Sequence, residues 1–192
     1  MSNELSIIDD RGRVFFGVLN CPLGRDVDVF FKDFSFFHEA FSLLGCSYAF
    51  ILHDEDNNDD GSLKTKHIHF VLEFPNRRRC SSCLKEVIQV LNVPDVCVSL
   101  RVSKSLSGCL NYMLHQGFEE KFQYSLESIE SSNLTWVYEN INMSDVAFTK
   151  YFLEVVTWSN GDYLSLVSQL GLKYAKKYKD IIYMVYRKKG WL

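Results

Sequence analysis

His67-Ile68-His69-Phe70-Val71-Leu72-Glu73-Phe74 (HIHFVLEF) alternates, and Pro75 closes it. In a strand, residues i and i+2 share a face. The stretch therefore reads as a half-buried strand, with His67, His69, Val71 and Glu73 on a wet face and Ile68, Phe70, Leu72 and Phe74 in the core. Upstream, 47–52 (SYAFIL) is a second apolar strand that runs into His53 and an acidic loop through Lys66. Before it, 27–44 carries Phe30, Phe31, Phe34, Phe37, Ala40, Phe41 and Leu44 at helical spacing, closed by Gly45, and 13–20 (RVFFGVLN) is a first strand. Downstream, 81–91 is a helix with Ser81 and Ser82 as its caps, 96–102 (VCVSLRV) a fourth strand, and 105–115 a further helix. The order βαββαβα implies an α+β fold: an antiparallel sheet of about five strands with helices on one face.

Beyond Phe122 the pattern weakens. One more strand is expected at 134–138, followed by helices at 145–158, 163–170 and 172–188. The expected layout is a domain over 1–127, a linker over 128–143 and a small all-helical C-terminal region over 144–192. In that tail Ile181, Ile182, Met184 and Val185 alternate with Lys176, Lys177, Arg187 and Lys188. It is expected to mediate self-association into a homo-oligomer, or duplex contact, rather than chemistry.

The 192 residues are 47% hydrophobic and 15% aromatic, enough for a core and unlike a disordered chain. No stretch has membrane-spanning length and the first residues carry no apolar run of the signal-peptide kind, so a cytoplasmic protein without membrane contact is expected. In that compartment Cys21, Cys46, Cys80, Cys83, Cys97 and Cys109 read as small buried hydrophobes rather than as disulfides. Cys80 and Cys83 have zinc-knuckle spacing, but no second ligand pair follows. The net charge of -3 argues against non-specific coating of DNA. The charge is uneven, however: acids crowd 54–60, while Arg77, Arg78 and Arg79 form a basic cluster suited to phosphate contact.

Three of the five histidines fall in one construction. Two imidazoles about 7 Å apart along a strand can converge on one cation when the strand twists. If the second and third strands pair, His53 and the turn Asp54-Glu55-Asp56 come beside His67 and His69. Mixed nitrogen and oxygen ligation suits Mn²⁺ or Mg²⁺, and would also accept Zn²⁺ or Co²⁺. Glu73, on the same strand face, is an auxiliary candidate. Tyr112 and His115, three apart on a helix, share a face. Beside a divalent cation, such a tyrosine is a candidate nucleophile toward a phosphodiester. Tyr124, just beyond that helix, is the alternative seat for the same role.

HDEDNNDDG, KTKHIHFVLEF and GCLNYMLHQG together resemble the three motifs of rolling-circle replication initiators of the Gram-positive plasmid type, within the HUH endonuclease superfamily. The resemblance spans 13–124, roughly two-thirds of the chain. It implies His53, Asp56, His67 and His69 as metal ligands, Tyr112 as the nucleophile, and His115 at the histidine of the tyrosine motif. It further implies a site-specific nick in single-stranded or hairpin origin DNA through a 5′-phosphotyrosine intermediate, leaving a 3′-hydroxyl, and a second transfer that closes the circle. The chain departs from the family in being less basic and in its shorter tail. Relaxases and transposases of the same superfamily share such a site. A non-catalytic sheet of the RRM type shares the element order, but would carry aromatics where the third strand has His67, His69 and Glu73. An origin-binding fold that has lost catalysis is the remaining alternative.

Overall fold

The computed structural model describes residues 10–58, 60–141, 145–170 and 172–191. By contact density the chain divides into two units, Met1–Ser132 and Asn133–Leu192. The first unit is built on a five-stranded antiparallel sheet in the order β4-β1-β3-β2-β5, from β1 (Arg11–Asn20), β2 (Ser47–His53), β3 (His67–Arg79), β4 (Val98–Ser103) and β5 (Glu130–Ser131). Helices α1 (Val27–Phe30) and α2 (Phe34–Ser42) join β1 to β2, and α3 (Cys80–Leu91) joins β3 to β4. One sheet face (Phe15, Leu19, Phe50, Ile68, Phe70, Leu72) packs with Phe37 and Phe41 of α2 and Val87 and Leu91 of α3 in a single apolar core. Gly17, in mid-β1, is where the Phe70 ring lies directly on the backbone; a Cβ there would collide with it.

α4 (Leu106–Met113) is the helix expected over 105–115, but it lies over the other face of the sheet rather than with the remaining helices. Its Tyr112 ring meets Phe16 at 5.7 Å and His69 at 5.7 Å, and its Leu110 and Met113 are fully buried. The supposedly wet face of β3 is therefore largely dry. His69 is only 7% exposed and Val71 not at all.

Several boundaries differ from the sequence reading for local reasons. β3 continues past Pro75 to Arg79. The β1–β3 register slips between Gly12 and Val14, and an irregularity there accommodates a residue without an N–H. The first helical stretch breaks in two, with Asp26 capping α1 through Val29 N (3.0 Å) and Asp33 capping α2 through Ser35 N (2.9 Å). Neither Ser81 nor Ser82 caps α3: the helix starts at Cys80, and its N-cap Arg79 makes no side-chain cap bond. The strand expected at 134–138 is instead α5 (Leu134–Asn140), started by Asn133, whose side chain accepts from Trp136 N. The fifth strand is β5, a little earlier, which pairs Ala49 with Ser131 and Phe50 with Glu130.

The second unit consists of α5, α6 (Asp145–Trp158), α7 (Tyr163–Leu170), α8 (Leu172–Lys177) and α9 (Lys179–Lys189). The helix expected over 172–188 is interrupted at Tyr178. Phe152, Val156, Leu166, Leu170, Ile182 and Tyr186 are buried in this unit, and Ser159 Oγ and Tyr186 Oη share a hydrogen bond of 2.8 Å. Trp158, Leu164 and Met184 are exposed. Among the described residues no helix is long and apolar enough to cross a membrane.

Candidate metal centre and nucleophile

Four segments distant in sequence meet on the α4 side of the sheet: the end of β2 with its turn, the start of β3, the end of α4, and residues 115–124. The β2–β3 register sets His53 opposite His67 and Ile51 opposite His69. The imidazoles of His53, His67 and His69 offer ring nitrogens within 4.8 Å of one another, and His53, Asp56 and His115 form a second such group. His53 (1% exposed), Asp56 (9%) and His115 (1%) are all buried.

Hydrogen bonding decides which atoms face inward. His53 Nε2 is 2.7 Å from the carbonyl oxygen of Met113 and can only donate to it, so the Nδ1 of the neutral ring is a lone pair. That lone pair faces Asp56 Oδ2 at 3.2 Å. In the same way His67 Nδ1 donates to Thr65 O (3.0 Å), which leaves its Nε2 as a lone pair 3.2 Å from His69 Nε2. His67 Nε2 lies 4.0 Å from Asp56 Oδ2. His69 Nδ1 is buried without a partner. With its proton on Nε2, His69 donates to His67 Nε2 and keeps a buried lone pair on Nδ1, whereas His53 Nδ1 and Asp56 Oδ2 are facing acceptors that repel unless positive charge lies between them. The donor set fits a divalent cation held by His53, Asp56, His67 and His69.

The protonation states agree. Burial holds His69 far below the ordinary imidazole range, down to about 2, and the neighbouring rings of His53 and His67 add to the effect. His53 is lowered too, chiefly by burial, against the opposing pull of its Met113 bond and Asp56. Neutral imidazoles are the form that binds metal.

His115 is not on the helix that carries Tyr112, contrary to the sequence reading. α4 ends at Met113, and His115 adopts φ 57. The His115 N–H donates to Tyr112 O (3.0 Å) and the Gln116 N–H to Asn111 O (2.9 Å), the two bonds of a Schellman helix end. Glycine usually fills this left-handed position; a histidine there costs on the order of 1–2 kcal/mol. What it gains is direction. The ring turns back over His53 (centroids 4.6 Å) and its Nδ1 donates to Phe122 O at 2.7 Å. With Nδ1 so committed, His115 positions the cluster from behind rather than offering that atom to a cation.

Tyr112 is half-buried between His69, Phe16 and Phe118. Lys121 Nζ lies 4.9 Å from the centre of its ring and donates to its hydroxyl at 3.5 Å. Tyr124 is buried and has a different task. Its ring stacks on His53 (4.3 Å, interplanar 10°), and its hydroxyl accepts from Asp54 N and Glu55 N at 3.0 Å each. The same hydroxyl donates to Asp56 Oδ1 at 3.3 Å. Burial pushes this phenol well above the ordinary range, so it stays protonated and able to donate. Tyr124 thus seats the turn that carries Asp56. No spacing in the sequence marks that role.

Two other candidates lie elsewhere. Glu73 is at the far end of the paired part of β3, in an ion pair with Arg13 at 3.7 Å. Arg77, Arg78 and Arg79 extend β3 farther in the same direction. Arg77 donates to Arg11 O (2.8 Å), and Arg78 pairs with Glu86 and lies over the Phe74 ring. None of these four reaches the histidine cluster.

Residues 35–135, more than half of the chain, match the family described as plasmid replication protein, origin binding domain. The chain belongs to this family. It is also 35% identical over 80 residues to the replication protein RepB of Lactiplantibacillus plantarum, a match covering 42% of this chain and 34% of that protein. The chain therefore spans about a third of the length of that relative. The origin-binding domain so delimited contains His53, Asp56, His67, His69, Tyr112, His115 and Tyr124, whereas the helices from α6 onward lie outside it. By its description, this family's domain binds replication origins in plasmid replication proteins.

Proposed function

We propose that the origin-binding domain is also a nickase of the HUH type, which initiates rolling-circle replication by cutting one strand at its origin with Tyr112. The observation that carries this reading is the convergence of His53, His67 and His69 with Asp56, the lone pair of His53 Nδ1 facing the carboxylate, next to a half-buried tyrosine. A domain that only binds DNA has no need for buried imidazoles gathered around a carboxylate. A base-stacking sheet of the RRM type would instead present exposed aromatics on β1 and β3, where this one has the buried Phe16 and the histidines.

His53, Asp56, His67 and His69 would hold Mn²⁺ or Mg²⁺, which when bound supplies positive charge to a phosphate oxygen and makes the phosphorus easier to attack. Tyr112 Oη then forms a bond to phosphorus as the bond from phosphorus to the 3′-oxygen breaks. The phenol proton is released and the departing oxygen is protonated, giving a 3′-hydroxyl that primes synthesis and a 5′-phosphate esterified to the protein. Lys121 steadies the attacking oxygen, and Tyr124 and His115 keep the ligands in register. A transfer in the opposite sense would close the circle. A relaxase or transposase reaction would use the same groups on other DNA. We assign the catalytic unit to the sheet domain, self-association to the helical C-terminal unit, in which Trp158, Leu164 and Met184 are exposed, and the cell's cytoplasm as the place of action.

The test is an origin oligonucleotide incubated with the protein and Mn²⁺. A covalent adduct that survives denaturation and maps to Tyr112 is expected, together with its loss in Tyr112→Phe. An adduct at Tyr124 would move the nucleophile. Cleavage with no adduct would show an activated water and overturn the mechanism.

A further inference from the structure

A cavity of about 290 Å³ opens directly beside Tyr112, lined by Phe16, Gly17 and Val18 of β1, His69 of β3, and Ser99, Leu100 and Arg101 of β4. Taking about 30 Å³ per water, it has the space of about ten waters, enough for a purine or pyrimidine ring with part of its sugar. It lies outside the ligand cluster, on the β4 side of His69, and shares with that cluster only the His69 and Tyr112 walls. We propose that this cavity seats a nucleobase flanking the nicked phosphodiester, and that Arg101 is the residue that reads it. The proposal rests on the origin-DNA reading above and adds a position at which sequence is recognised.

The lining favours a base over a phosphate. A phosphate site in a sheet needs several cations or free backbone N–H groups. Here β1 is paired on both sides, to β3 and to the edge strand β4 (Phe16 to Arg101, Gly17 to Leu100 and Val18 to Ser99), so the β1 part of the cavity floor is already hydrogen-bonded sheet. The walls are mostly apolar, with a few polar groups at the edges: the Ser99 hydroxyl, the Tyr112 phenol and the Arg101 guanidinium. That is the build of a pocket for a flat organic ring. The Arg101 guanidinium lies over the Phe16 ring, 5.5 Å from its centre. An arginine resting against a ring can keep N–H groups free to meet the acceptors of a base, as in the pairing of arginine with guanine O6 and N7. No acidic side chain pairs with Arg101 among the described residues, unlike Arg13 and Arg78 of the same domain. The nearness of Tyr112 places the base next to the bond that breaks.

The test measures metal-free binding, in chelator, of origin oligonucleotides in which each nucleotide around the nick is in turn replaced by an abasic residue or another base. Wild type is expected to lose about 5- to 100-fold in affinity at one position adjoining the nick. Arg101→Gln is expected to bind the intact and the substituted oligonucleotide alike. Ser99→Trp, which fills the cavity from an exposed strand position and leaves Arg101 in place, is expected to erase the same preference; thermal melting of each variant checks that it is folded. Uniform weakening by Arg101→Gln across all oligonucleotides, with a shallower salt dependence, would make Arg101 a phosphate contact and overturn the proposal. So would wild-type binding that is indifferent to every base near the nick, or a base preference that survives Ser99→Trp. Because binding is read without metal or cleavage, these results stand apart from adduct formation, which alone decides the nickase reading.

Discussion

The two ends of β3 are chemically opposite, although they belong to one strand. At the end toward Arg79, Glu73, Arg77 and Arg78 have conventional partners: Glu73 has Arg13, Arg77 has a backbone carbonyl, and Arg78 has Glu86 and the Phe74 ring. At the end toward His67, the polar groups are more deeply buried and worse matched. Lone pairs of His53 and His67 face Asp56 and His69, and His69 Nδ1 has no partner. Folding alone does not select such an arrangement, since burying unmatched acceptors costs stability. That difference separates the site from the other polar patches of this fold.

The largest effect is expected where the mismatch is greatest. His67→Ala should reduce cleavage to background while leaving the fold nearly as stable, because that ring lies at the rim. His69→Ala should also lose cleavage but should cost stability as well, since its ring is buried and stacked on Phe16 at 5.3 Å. In wild type, Mn²⁺ at a hundred times its Kd should add about 2.7 kcal/mol, roughly a 5–10 °C rise in Tm for a domain of this size, and the rise should vanish in both variants. An equal rise in wild type and variants would erase the contrast between the two ends.

An intermediate effect is expected at Tyr124, which touches the site without joining it. Tyr124→Phe keeps the stack on His53 and removes only the hydroxyl that seats Asp56. Metal affinity by titration should fall about 10- to 100-fold, and saturating Mn²⁺ should restore most of the cleavage rate. Failure of excess metal to restore it would give Tyr124 a direct part in the chemistry. The smallest effect belongs to the far end. Arg78→Ala loses a part-exposed ion pair and a ring contact, so unfolding should shift by about 1 kcal/mol at most and cleavage of a single-stranded oligonucleotide should not change. A large loss of cleavage there would mean that the arginine end contributes to the reaction.

The sheet and the histidine pairing were legible because they follow from short-range alternation: HIHFVLEF and SYAFIL state their own periodicity, and adjacency of β2 and β3 brings His53 to His67. What could not be read depends on tertiary cover or on backbone conformation. Nothing in the alternation of β3 announces that α4 lies over the face holding His69 and Val71. The helical spacing of Tyr112 and His115 is genuine in the sequence, yet a left-handed residue at the helix end turns His115 the other way. Tyr124 looks like any other aromatic until a loop brings it against a turn some seventy positions earlier. Around the boundary of the two units, a two-residue strand at the end of the first and a helix started by Asn133 at the beginning of the second replaced one expected strand, because a single capping side chain outweighs a weak β pattern.

The bonds from Tyr124 to the turn at Asp54 and Glu55 have a consequence for how the protein comes into being. A nascent chain that has emerged only through β3 carries three of the imidazoles, but it lacks the nucleophile, the histidine behind the cluster and the tyrosine that seats Asp56. Long-range contacts of this kind form late, after the loop entropy between their ends has been overcome. On the nickase proposal, the domain would then become competent only once its whole sheet has been made. Half-synthesised chains would be harmless to the DNA around them.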